Sequence, residues 1–270
     1  MTMVAPIRQS GIVSPTKKGI QKVAVIGSGV MGAGIAAHCA NAGCDVVLMD
    51  IIPDGAKDPN VLAKGAIANM LKADPQMLMH PSYAKMITPA NLEDSLHLLN
   101  DRDWVIEVVI ERLDIKHNVY SKLAEHIPKH AILSSNTSTL PRSALVSGMP
   151  ENLSERFLIT HFFNPPRYLP LLEVVAGDEV SNSVRDRFIS FADEKLGKRV
   201  TLCNDTPGFI GNRLGIYFVQ RAIAATLDYG FTVEQADAML GRPIGLPKTG
   251  VFALMDLVGI DLIPHVIESM

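Results

Sequence analysis

The hexapeptide Gly27-Ser28-Gly29-Val30-Met31-Gly32 stands between a short β-branched run, Val23-Ala24-Val25-Ile26, and a run of helix formers, Ala33-Gly34-Ile35-Ala36-Ala37. A strand, a glycine-rich turn and a helix start in that order make an anion site. The first glycine takes the tight turn, the second lets backbone approach a pyrophosphate, and the third lets helix and strand pack closely. The N–H groups left unpaired at the helix start, on Val30, Met31 and Gly32, then face the anion. A second strand over residues 44–50 ends in Asp50, about 20 residues beyond the glycines, where an acid accepts hydrogen bonds from adenosine ribose hydroxyls. Ile51, Ile52 and Pro53 follow, with no arginine to receive a 2′-phosphate, so the pattern points to NAD rather than NADP. The structural alternative is a tight strand–helix turn in an α/β domain that binds nothing.

A second group of residues could move protons. Glu173 sits in the apolar run Leu171-Leu172-Glu173-Val174-Val175, and a carboxylate there needs a partner to offset its desolvation. His161, at the head of His161-Phe162-Phe163-Asn164-Pro165-Pro166, is the natural candidate. Imidazoles titrate near pH 6.5 in water and take protons near neutrality. Asn136-Thr137-Ser138-Thr139 follows the strand at 131–135, at the carboxyl edge where α/β sheets bind ligands. Asn212 lies one turn into a long helix. Each has a duller reading: His161 as a satisfied strand-end histidine, Phe162 and Phe163 as wall or core, Asn164-Pro165-Pro166 as a turn, Ser138 as a helix cap, and Asn212 as a loop contact.

The elements that must position these groups alternate. Strands are expected at 104–110, 131–135, 156–160, 171–175 and 200–203, with helices at 61–72, 114–126 and 183–196, which argues for a doubly wound α/β sheet. Residues 55–100 are too long for a plain crossover, so a helical arm is expected there beside the site. Asp205-Thr206-Pro207 reads as a helix start, opening a helix that runs to Tyr229 before Gly230. Further helices at 233–240 and 252–258 make the second domain all-α. The expected division is a flexible leader at 1–19, a nucleotide-binding domain at 20–203 and a smaller helical substrate or dimerisation domain at 204–270. The final residues, ending at Met270, read as an interrupted helix, as in an incomplete domain.

The chain has 270 residues, 47% of them hydrophobic, a formal charge of −3 and a pI near 6.2. That charge gives no basis for nucleic-acid binding, and no uncharged apolar run reaches the roughly 18 residues of a membrane span. Cys39, Cys44 and Cys203 lack metal-ligand spacing, so no metal is expected, and their odd number suits a reducing compartment such as the cytoplasm. The leader has no apolar run of a secretory signal.

Taken together, Gly27 to Gly32, Asn136-Thr137-Ser138, His161-Phe162-Phe163-Asn164-Pro165, Glu173, and Asp205-Thr206-Pro207-Gly208-Phe209 with Asn212-Arg213 make the chain resemble the L-3-hydroxyacyl-CoA dehydrogenases from about Lys22 onward. The resemblance implies a Rossmann-type NAD domain followed by a helical domain, and oxidation of the 3-hydroxyl of an acyl-CoA in fatty-acid β-oxidation. It implies that His161 is the base, Glu173 its carboxylate partner, and Ser138 and Asn212 substrate contacts. Glu111 and Lys116 match nucleotide-contacting positions, as do Asn136, Ser138 and Asn164. On the arm, Asn69 and Gln76 stand where the family has a serine and a lysine that contact CoA, leaving Lys64 and Lys72 as replacement cations. The family pairs through its helical domain, so a homodimer is expected. The stretch 243–252 resembles long bacterial proteins in which an enoyl-CoA hydratase domain is fused. Two alternatives stand: a related NAD-dependent dehydrogenase of a sugar acid or free hydroxy acid, and a non-catalytic nucleotide-binding protein.

Overall fold

A computed structural model describes residues 19–259 of the chain. The expected leader up to residue 18 and the expected interrupted helix at the end lie outside the described residues. In chain order the elements are β1 (Lys22–Ile26), α1 (Val30–Asn41), β2 (Asp45–Asp50), α2 (Val61–Met70), β3 (Ile87–Asn91), β4 (Trp104–Glu107), α3 (Leu113–Leu123), β5 (Ile132–Ser135), α4 (Arg142–Val146) and α5 (Glu151–Ser154). They continue with β6 (Phe157–Phe162), β7 (Leu171–Ala176), α6 (Asn182–Glu194), β8 (Arg199–Leu202), α7 (Gly211–Asp228), α8 (Val233–Met239) and α9 (Phe252–Val258).

One eight-stranded sheet runs β3-β2-β1-β4-β5-β6-β7-β8. Strands β1 to β6 are parallel, and β7 reverses to pair antiparallel with β6. The chain works outward from β1 to β3, then returns to place β4 on the other side of β1. The crevice opened by that reversal is where such sheets bind ligands. Successive side chains of a strand point to opposite faces, and here both faces are covered. Val23, Val25, Val46, Leu48 and Ile106 join α1 and α6 residues in one core; Ala24, Ile26, Val47, Met49 and Val105 join α3 residues in the other. Trp104 packs edge-on against Phe188 and Phe191, and its indole N–H donates to Ser134 Oγ at 2.8 Å. Burying such a polar handle with a partner avoids a cost of about 1–3 kcal/mol.

Three local features differ from expectation. The insertion after β2 holds one α-helix, α2, packed over β2 and β3, then a 3-10 turn (Pro81–Met86) and the edge strand β3. Pro89 in Ile87-Thr88-Pro89-Ala90-Asn91 obscures that strand, yet a proline is tolerated because β3 lies at the sheet edge. Strand β4 stops at Glu107, three residues early. Most consequentially, Asp205-Thr206-Pro207 does not start α7. The Asp205 carboxylate accepts from the backbone N–H groups of Arg142 (2.6 Å) and Ser143 (2.8 Å), so it caps α4 instead. The backbone then passes through the left-handed region at Gly208 (φ 73°) and Phe209 (φ 44°), and α7 starts at Gly211. Asn212 is therefore its second residue rather than a turn inside it. From Gly211 onward the described residues form helices and turns, and no described helix is long and apolar enough to cross a membrane.

Candidate active site

The turn after β1 uses its glycines for distinct reasons. Gly27 has φ +105°, and a Cβ there would lie 2.6 Å from the Val108 carbonyl oxygen; at Gly32 a Cβ would lie 1.9 Å from the Gly27 carbonyl oxygen. A Cβ at Gly29 would meet nothing within 4 Å, so the outer face of the turn is open to a ligand. Gly29 is also the N-cap of α1, and no side chain caps that helix. The first intrahelical bond from this cap runs from the Ala33 N–H to the Gly29 carbonyl at 2.8 Å, which leaves the N–H groups of Val30, Met31 and Gly32 to an incoming anion. Parallel pairing sets Ile26 beside Met49, so Asp50 ends alongside the turn. One Asp50 oxygen accepts from the Ser28 N–H (2.7 Å) and hydroxyl, the other from the Ile51 N–H (2.8 Å). Uncapped N–H groups, an open glycine and a carboxylate at the strand end fit a dinucleotide.

Strands β6 and β7 pair so that His161 and Glu173 stand directly opposite one another. Opposed residues in an antiparallel pair share a face with Cβ atoms about 5 Å apart. His161 Nδ1 lies 2.8 Å from Glu173 Oε2, and the side chains are buried, with 5% and 0% of each residue exposed. The other Glu173 oxygen accepts from the N–H groups of Ile210 (3.0 Å) and Gly211 (2.7 Å) at the start of α7. Burial alone would push this carboxyl up, but the bonds from His161 and those two N–H groups hold it below the usual carboxylate range. A carboxylate at Nδ1 fixes the tautomer with the proton there and leaves the Nε2 lone pair free; Nε2 has no hydrogen-bond partner among the described residues. The ring is flanked by Phe163 (centroids 4.5 Å apart) and Phe209 (5.8 Å). A Cβ at Gly211 would come within 2.8 Å of the Phe163 ring, so the helix start can approach only because residue 211 is glycine.

A third cluster lies under the loop after β5. Glu111 Oε1 gathers the Thr137 hydroxyl, the N–H groups of Ser138 (3.0 Å) and Thr139 (3.2 Å), and the Thr139 hydroxyl (3.1 Å). Burial pushes the Glu111 carboxyl up, but Lys116 and these donors hold it below its ordinary range. Lys116 is 1% exposed; its ammonium lies 2.7 Å from Glu107 and 3.3 Å from Glu111. Glu107 accepts in addition from the Val109 N–H, the Tyr120 hydroxyl and the Ser135 hydroxyl. Asn136, next along, accepts from the Phe162 N–H at 2.9 Å through Oδ1 and so ties this loop to the strand of His161.

His161 and Glu173 thus stand together, with Asn212 immediately after Gly211 and Asn136 bonded one residue beyond His161. Ser138 and Asn164 lie on loops leaving the same sheet edge. Lys116 is engaged beneath the surface by two carboxylates. Lys64 pairs with Asp58 at 2.6 Å and Lys72 is exposed; no hydrogen bond links either to the dyad. Glu107, Phe209 and Gly211 were not foreseen from sequence. The signal for Glu107 was there: an acid inside the apolar run Trp104-Val105-Ile106-Glu107 raises the same demand for partners as Glu173. Among the described residues no cluster of three or more His, Cys, Asp or Glu could hold a metal.

Two family models cover the chain: the NAD-binding domain of 3-hydroxyacyl-CoA dehydrogenase over residues 22–206 and its C-terminal domain over residues 208–270. A Rickettsia felis protein named as a fatty acid oxidation complex trifunctional enzyme is 45% identical over 93% of this chain, which spans 35% of that relative's length. A Deinococcus radiodurans protein named as a 3-hydroxyacyl-CoA dehydrogenase is also 45% identical, over 92% of this chain and 71% of its own. Among solved structures, Escherichia coli 3-hydroxybutyryl-CoA dehydrogenase superposes with a TM-score of 0.77 at 31% identity, covering 93% of this chain and 52% of that one. With its glycine turn, Asp50 and switch-point crevice inside the first match, and α7 to α9 inside the second, the chain belongs to the 3-hydroxyacyl-CoA dehydrogenase family and carries the family's NAD-binding domain.

Proposed function

We propose that this chain oxidises L-3-hydroxyacyl-CoA to 3-ketoacyl-CoA with NAD, as a step of fatty-acid β-oxidation, and that His161 is the general base. The observation that carries the reading is the 2.8 Å contact between His161 Nδ1 and Glu173, with Nε2 left free at the ligand-binding edge of the sheet. When bound, NAD would supply the hydride acceptor; the turn Gly27 to Gly32 and Asp50 would hold it, with Glu111, Lys116, Asn136, Ser138 and Asn164 as further cofactor-site residues. His161 Nε2 accepts the proton of the 3-hydroxyl as the C3–H bond breaks and the hydride leaves C3. Glu173 keeps Nδ1 protonated and stabilises the imidazolium that forms. Positioned acid–base help of this kind contributes about 10²- to 10⁴-fold. Ser138 and Asn212 donate hydrogen bonds to the oxygens of the ketoacyl group.

Lys72 and Lys64 supply cations on the α2 segment for the CoA phosphates. The chain acts as the dehydrogenase part of a longer cytoplasmic fatty-acid oxidation protein fused to an enoyl-CoA hydratase unit; the name of the Rickettsia relative, a trifunctional enzyme of fatty acid oxidation, and its greater length support the longer protein. Exposed Leu214, Tyr217, Leu227 and Tyr229 on α7 and its end support pairing of two chains through the helical domain. The test follows NADH consumption with acetoacetyl-CoA against free acetoacetate. Turnover of the thioester alone supports the reading; equal or preferred turnover of the free acid favours a hydroxy-acid dehydrogenase instead.

A further inference from the structure

Lys198, at the turn between α6 and β8, carries a charge that the reaction above does not use. The residue is 2% exposed, and among the described residues no carboxylate pairs with it. Its ammonium donates to the carbonyls of Pro166 and Leu169 (2.7 Å to the latter) and lies 5.6 Å from the centroid of the Phe162 ring. A buried cation costs several kcal/mol unless dipoles or a ring face compensate it, and here all the compensation comes from one stretch of chain. Phe162 follows His161. Pro166 and Leu169 belong to the connection 163–170, which carries Asn164 and leads into the strand of Glu173. That connection also touches the nucleotide half of the site, because a Cβ at Gly34 of α1 would meet the Pro166 ring at 2.9 Å. Its outer side is tied to residues 76–78, with Arg167 donating to the Gln76 carbonyl at 2.7 Å and the Tyr168 hydroxyl to the same carbonyl at 2.9 Å. From the other side Lys198 grips its middle through two carbonyls, and the neighbouring Arg199 N–H donates to its last residue, the Pro170 carbonyl, at 2.8 Å.

We propose that Lys198 is a positioning residue: its ammonium holds the 163–170 connection down on α1 and so sets Asn164 against the cofactor turn. The proposal rests on the reading of Asn164 as a nucleotide contact. The dyad is secured separately, by the β6 and β7 ladder and by the N–H groups of α7. Loss of Lys198 therefore weakens cofactor binding while largely sparing the proton-transfer step. A residue that only stabilised the fold would behave otherwise: its loss would lower the thermal midpoint and speed exchange across the whole sheet, with no selective loss of cofactor affinity.

The test compares the full chain with Lys198→Met and Lys198→Arg, by hydrogen exchange, NADH titration, thermal midpoint and turnover of acetoacetyl-CoA. Lys198→Met should speed exchange in residues 163–170 and raise the NADH Kd, each about tenfold, as expected when charged donors to two carbonyls are lost. Its kcat at saturating NADH and its midpoint should change little, and Lys198→Arg should recover part of the affinity. Unchanged exchange in 163–170 with unchanged NADH affinity overturns the proposal. So does a lowered midpoint with faster exchange spread evenly over the sheet. Absence of thioester turnover in the unmodified chain would count against the dehydrogenase reading, while exchange and titration would still decide the role of Lys198. If the methionine variant does not fold, the arginine variant gives the same two readouts.

Discussion

Replacing Glu173 with glutamine changes one atom's chemistry at the centre of the site. The carboxylate receives three donors: His161 Nδ1 at 2.8 Å, the Ile210 N–H at 3.0 Å and the Gly211 N–H at 2.7 Å. An amide has one acceptor oxygen and one NH₂, and neither orientation serves all three. With the oxygen toward the helix start, the NH₂ meets Nδ1, which must then accept; the ring proton moves to Nε2, and the base is lost. With the oxygen toward His161, the NH₂ faces two N–H donors, each left unpaired at about 1–3 kcal/mol. The wrong tautomer costs about 10⁴-fold where a carboxylate orients a catalytic histidine. We expect kcat for oxidation of L-3-hydroxybutyryl-CoA by NAD, the direction in which His161 must accept the proton, to fall about 10³- to 10⁴-fold, or roughly 4–5.5 kcal/mol at the barrier. NADH affinity should be nearly unchanged, since no Glu173 contact reaches the glycine turn. Stability should respond too. The Glu173 pKa is held below its unfolded value, so the carboxylate contributes stability above the unfolded pKa and loses it as pH falls through the lowered folded value. The unmodified chain should therefore lose thermal stability more steeply on acidification than Glu173→Gln. A glutamine variant with kcat within about threefold of the unmodified chain would refute the assigned role of the carboxylate.

Two other substitutions probe different parts of the account. Asp50→Ala removes the acceptor at the end of β2, so NAD affinity should fall about 10- to 100-fold and discrimination against NADP should shrink; titration of both cofactors checks this, and unchanged binding excludes the ribose contact. Asp205→Ala should destabilise the chain by about 0.5–2 kcal/mol through the lost α4 cap, with faster hydrogen exchange at residues 142–146. Faster exchange confined to the start of α7 would contradict that cap.

Much of this was legible in the sequence because the nucleotide half is built from local signals. The glycine spacing, the apolar runs of β1 and β2 and the acid at Asp50 lie close along the chain and constrain one another. Glu173 was legible for a different reason: an acid in an apolar strand demands a partner, and the antiparallel register of β6 and β7 supplies His161. What sequence concealed depends on long-range geometry. Asp205 carries a sound cap signal, but the helix it caps lies 63 positions earlier in the chain. The start of α7 is delayed by a left-handed Phe209, a conformation that no local pattern announces for a phenylalanine. Strand β3 is masked by a proline that only its edge position excuses. The burial of Lys116 and Lys198 cannot be read from residue type, since lysines are mostly exposed, and the carbonyls that hold Lys198 lie 32 and 29 positions earlier.

The most direct test of the account is the kcat of His161→Gln for acetoacetyl-CoA and NADH, measured beside its NADH Kd. An imidazole that takes the substrate proton through Nε2 in oxidation returns it from Nε2 in this reduction, so its loss predicts a fall on the order of 10²- to 10⁴-fold in kcat with NADH binding intact. Turnover at the rate of the unmodified chain would contradict it, and would move the proton acceptor elsewhere in the crevice.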